Sequence, residues 1–202
     1  MALLTPIPDP PDQTKLPWYA KDHSLPVYRF VPGLNPHPLR DPKGHSYRTV
    51  RSGAYPDWTP ARWEKLEPYL KGVDLFNRFY FWEAHEAWEP LWTSYPPEAE
   101  PAQFIQGLIN VTASFLKLHM QENAATERLW SAASIQLGPF IGKEWMGIDV
   151  NQFLKEAETY LLPVKRGACP ILGPDTPIIR LRSLRKETNM NKVNLKRKSK
   201  TD

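Results

Sequence analysis

From Thr59 to Leu162 the apolar side chains recur at helical spacing. Thr59-Pro60 reads as an N-cap followed by proline at the first helical position, where a missing N–H costs nothing. Trp63, Leu66 and Leu70 then repeat at i, i+3 and i+7, which predicts a first helix ending near Gly72. A second helix is expected from about Asp74 to Trp92, because Phe76, Tyr80, Phe81, Ala84, Ala87, Trp88, Leu91 and Trp92 share one broad arc. Pro90 stands in its last turn, where a kink is expected. The third helix, from about Pro101 to Met120, is apolar nearly all round and therefore central. A fourth runs from about Ala124 to Leu137 and stops at Gly138-Pro139. The fifth opens on Asp149 and Gln152 at capping-box spacing, is expected to bury Phe153, Leu154, Ala157, Tyr160 and Leu161, and ends at Pro163. No convincing alternating strand lies between residues 59 and 162. The fold class is all-α: a single, bundle-like domain of about five helices.

The flanks differ. Twelve of the 22 prolines fall in the first 60 residues, which excludes regular helix or central strand there. The same stretch carries Trp18, Tyr19, Tyr28, Phe30, Tyr47 and Trp58, too many aromatics for a disordered tail. We read residues 1–58 as a proline-rich extended N-terminal arm that wraps the domain, with about 1–15 loose and 16–58 docked. Residues 59–162 are the helical domain and 163–182 an extended C-terminal segment. Residues 183–202 read as a disordered basic tail.

Charge sharpens this division. The formal net charge is +4, but the stretch from Arg180 to Asp202 holds nine Lys or Arg against two acids. The body is mildly acidic, so no specific nucleic-acid binding is expected. No stretch has the length of a membrane span, and no membrane partner is expected. The N-terminus has neither a basic start nor a long apolar run, so it is not read as a secretory signal, and a cytoplasmic location is expected. The single cysteine, Cys169, leaves no internal disulfide and no cysteine-based zinc site.

The chemistry concentrates in Glu83-Ala84-His85-Glu86-Ala87-Trp88-Glu89. His85 and Glu89 stand at i, i+4 and can meet, with Glu86 a neighbour, whereas Glu83 lies on the opposite border of the apolar arc. Three readings are open. His85 and Glu89 can be metal ligands. Glu89 can orient and charge His85 as an acid–base group. Or the two can be a structural pair at the edge of the core. On the third helix Gln106, Asn110 and Lys117 form a polar stripe that faces either the second helix or solvent. Gly107 lets another element approach closely. The arm offers His37, Arg40, Asp41 and His45 in a proline-braced loop. His37 and His45 could join His85 and Glu89 around a divalent transition metal such as zinc, or merely cap backbone carbonyls.

Phe76-Asn77, Tyr80-Phe81-Trp82-Glu83-Ala84-His85-Glu86-Ala87-Trp88-Glu89 and Trp92, followed by Phe104-Ile105-Gln106-Gly107-Leu108-Ile109-Asn110, resemble the family called domain of unknown function 309. The resemblance spans about residues 60–140. It implies a small all-helical fold and no assigned activity, with Glu83, His85, Glu86, Glu89, Trp92, Gln106 and Asn110 at signature positions.

The expected function is metal-assisted or acid–base chemistry on a small polar molecule. His85, Glu86, Glu89 and Asn110 are the catalytic candidates, and Gln106, Trp92, Lys117 and Arg40 the substrate-binding ones. The candidate metal ligands are His37, His45, His85 and Glu89. The enzyme reading requires His85, Glu89, Asn110 and one arm histidine to line one cavity. The alternative is a non-catalytic helical module, such as a homodimer, whose polar cluster specifies packing.

Overall fold

The computed structural model describes residues 4–10, 12–49 and 53–182. Five α-helices dominate the described residues: α1 (Glu67–Asn77), α2 (Phe81–Trp92), α3 (Glu100–His119), α4 (Asn123–Leu137) and α5 (Val150–Leu161). α3 is central, with α2 packed on one side and α4 on the other. Phe76, Phe81, Phe115 and Phe153 bring α1, α2, α3 and α5 into one aromatic cluster. The basic tail expected from residue 183 lies outside the described residues.

Two boundaries differ from the periodicity. The first helix is split: a 3-10 turn spans Pro60–Lys65, and α1 restarts at Glu67 with Pro68 in its first turn. α1 then continues through Gly72 to Asn77, so Gly72 does not end a helix. It is needed instead because a Cβ there would collide with the indole of Trp88. That indole is fully buried, and its Nε1–H donates to the Tyr69 carbonyl at 3.0 Å. The break between α1 and α2 falls at Phe79, a non-glycine residue with φ of 64°. Its ring stacks on Phe81 in the core, so aromatic burial offsets an unfavourable backbone. α2 runs past Pro90 to Trp92.

Elsewhere the sequence pattern and the helices agree closely. Gly107 admits Leu137 of α4. Asp149 caps α5 by accepting the Gln152 N–H at 3.0 Å, but the Gln152 side chain donates to Glu156, so the box is not reciprocal. Two short strands, β1 (Glu144–Trp145) and β2 (Ile148–Asp149), pair antiparallel where no strand was expected. Two-residue strands are too short to leave an alternating pattern.

The arm lies across α1 and α2. Where the arm is extended rather than turned, its amides have no partner in the arm, and side chains of the helices accept them. Asp74 accepts the N–H groups of Tyr19 and Ala20 at 2.8 to 3.1 Å. Glu67 accepts that of Lys21 at 2.7 Å, and Glu83 that of Phe30 at 3.0 Å. Burial pushes the Asp74 carboxyl up, while these amides and Arg78 pull it back. Arg78 is itself buried, 3.7 Å from Asp74 and under the ring of Trp18. The stretch expected to be loose instead places Ile7 in the core. At the other end, Asn77 exchanges two hydrogen bonds with the backbone of Ile179, at 2.7 and 2.8 Å.

Candidate functional site

A cleft of about 500 Å³ opens between the arm and α2. Glu83, Glu86 and Glu89 contribute to one wall, at successive three-residue steps along the helix. Across from them the arm contributes His45 and Ser46, and Leu39 and Trp82 add apolar surface.

On the α2 side the structure gathers His85, Glu86 and Glu89. One ligand atom from each falls within 4.8 Å of the other two, and all three residues are half-buried. The helix dictates this: Glu89 is one turn beyond both His85 and Glu86. A neutral imidazole nitrogen and two carboxylate oxygens form a donor set suited to a first-row divalent cation. Glu86 and Glu89 also line the cleft, so this group stands at its edge.

On the arm side a second histidine–glutamate pair is closed. His45 Nε2 lies 3.1 Å from Glu83 Oε1, with the two side chains 6% and 5% exposed. The same Glu83 oxygen accepts the Phe30 N–H. The His45 backbone N–H donates to the Tyr28 hydroxyl at 3.3 Å, and the two rings pack at 4.6 Å. Gly44 makes the turn possible, because the loop folds back onto the carbonyls of His37 and Pro38, where a Cβ would clash.

The remaining sequence candidates go elsewhere. His45 is engaged by Glu83 rather than by His85, because Glu83 and His85 sit on opposite borders of α2. His37 accepts the Leu39 N–H at 3.2 Å and packs its ring between Phe30 and Trp82. Neither arm histidine is in the three-residue donor group. Asn110 donates to Gln136 of α4 at 2.7 Å, so the polar stripe of α3 serves the α3–α4 contact. Lys117 pairs with Glu122 at 2.9 Å. Gln106 is half-buried and absent from the cleft lining, and Arg40 is exposed. Trp92 packs against the core. The four-residue cavity required by the enzyme reading therefore does not form as expected: Glu89 and one arm histidine, His45, line the cleft, but His85 and Asn110 do not. Sequence reasoning gave no role to Ser46 and left Glu83 at a signature position without one. Glu83 did carry a signal, since an acid at the border of an apolar arc needs a partner once buried.

The comparison with known families bears on the resemblance over part of the chain. Residues 69–129 match the model of the domain of unknown function DUF309. The match is to the family read from the two sequence motifs. The DUF309 stretch begins in α1 and ends within α4, so it contains Glu83, His85, Glu86 and Glu89. His45, Ser46 and the rest of the arm lie outside it. No curated protein matches the chain.

Proposed function

We propose that this chain is a metal-binding helical protein whose cleft takes a small polar molecule. The carrying observation is the convergence of His85, Glu86 and Glu89 within 4.8 Å at the edge of that cleft. A divalent transition metal such as zinc fits one imidazole and two carboxylates, with coordination positions left for water or substrate. Bound there, it would supply a Lewis acid and a water of lowered pKa. The chain's own residues would hold it and position substrate: His85 and Glu89 as ligands one turn apart, Glu86 as a ligand that also faces the cleft. Trp82 and Leu39 would exclude water from the apolar part of a bound molecule.

The test is elemental analysis of the full chain, purified without a polyhistidine tag. Stoichiometric transition metal is expected, and its loss in His85→Ala with an unchanged circular dichroism spectrum. Protein free of metal after equilibration with micromolar zinc would overturn the reading. That outcome would favour the second one, a non-catalytic helical module, which the interhelical bond between Asn110 and Gln136 supports.

A further inference from the structure

The arm's side of the cleft carries chemistry that the metal reading does not use. His45 Nδ1 lies 2.8 Å from Ser46 Oγ. His45 Nε2 lies 3.1 Å from Glu83 Oε1. With His45 Nε2–H donating to the Glu83 carboxylate, the Nδ1 lone pair faces the Ser46 hydroxyl, and this is the tautomer that an activated serine requires. This is the arrangement of an activated nucleophile: a hydroxyl, a base within hydrogen-bond reach, and a third group that fixes the base. The imidazole is also clamped by Tyr28. Glu83 is fixed in turn by the Phe30 amide. Ser46 contributes to the wall of the cleft, where a bound molecule can meet it.

We propose that Ser46 is a nucleophile for acyl transfer, with His45 as its base and Glu83 as the positioning residue. Ser46 Oγ adds to the carbonyl carbon of an ester while its proton passes to His45 Nδ1. The carbonyl then re-forms, and the departing alkoxide takes that proton and leaves as the alcohol. Water repeats the sequence on the acylated serine: it gives a proton to His45, the carboxylic acid is released, and Ser46 Oγ recovers the proton. The substrate class is a small neutral or cationic ester. Anionic esters are disfavoured, because Glu86 and Glu89 line the same cleft.

The test treats the full chain with a neutral fluorophosphonate in buffer containing EDTA, which keeps the outcome separate from the metal site. Ser46 Oγ displaces fluoride from phosphorus, and hydrogen fluoride is lost. Intact mass and peptide mapping should find one adduct, on Ser46, formed about 100-fold faster than on the urea-unfolded chain. Ser46→Ala should abolish it. Glu83→Gln keeps acceptor and shape but removes the charge, and should slow labelling about tenfold or more with the fold intact. No adduct, an adduct on another residue, or a native rate no faster than the unfolded one would overturn the proposal. So would an unchanged rate in a folded Glu83→Gln protein.

Discussion

Two histidine–glutamate groupings share helix α2, and the fold treats them in opposite ways. His45 and Glu83 are sealed, at 6% and 5% side-chain exposure, with the arm's backbone drawn onto the same carboxylate. His85, Glu86 and Glu89, with ligand atoms within 4.8 Å of one another, remain half-buried at the edge of the cleft that both groupings border. The residue types are the same, and the difference is desolvation. A buried carboxylate oxygen needs donors, and Glu83 Oε1, matched by the Phe30 amide and the His45 ring, holds the arm to the helix. A half-exposed group keeps solvent access, which a ligand can exploit. One helix therefore carries a tether on one border and a candidate ligand site on the other.

Removing the tether should have the larger effect on stability. Glu83→Ala leaves the Phe30 N–H and the His45 ring without their acceptor, and should cost about 2–4 kcal/mol in urea denaturation. Proteolysis should then cut the arm before the helices. If the arm of Glu83→Ala resists protease as the parent does, the tether is not what holds it. Glu89→Gln, on the open border, should change stability by less than about 1 kcal/mol while weakening metal retention in the elemental assay. A large loss of stability there would erase the contrast. The smallest effect belongs to an exposed carboxylate that also reaches the arm's backbone. The Ser24 N–H and hydroxyl, with Lys71, hold Asp22 down to about 2. A depressed carboxyl contributes stability above its unfolded value of about 4, lost as pH falls toward 2. Asp22→Asn should therefore lower Tm only marginally at pH 7, and the difference should vanish near pH 2.

How much was legible in advance follows from how local each feature is. α3, α4 and α5 are readable because capping signals and apolar spacing lie within each segment. His85 with Glu89 is readable for the same reason: two residues one turn apart on one helix. The end of α1 was misplaced because Gly72 serves a close approach by Trp88, a contact that spacing within α1 does not contain. Asn110 was ambiguous because a polar stripe on a central helix has two neighbours, and the sequence does not say that Gln136 takes it. The pairing of His45 with Glu83 spans 38 residues and depends on where a helixless arm is laid, so no periodicity announces it.

The tethers have a bearing on any attempt to shorten the chain. The amides of Tyr19, Ala20 and Phe30 reach acceptors 53 to 55 residues further along. One bank of the cleft is thus borrowed from a distant stretch and exists only while that stretch is moored. A fragment trimmed to residues 69–129 would retain the helical bank, with its imidazole and carboxylates, facing open solvent.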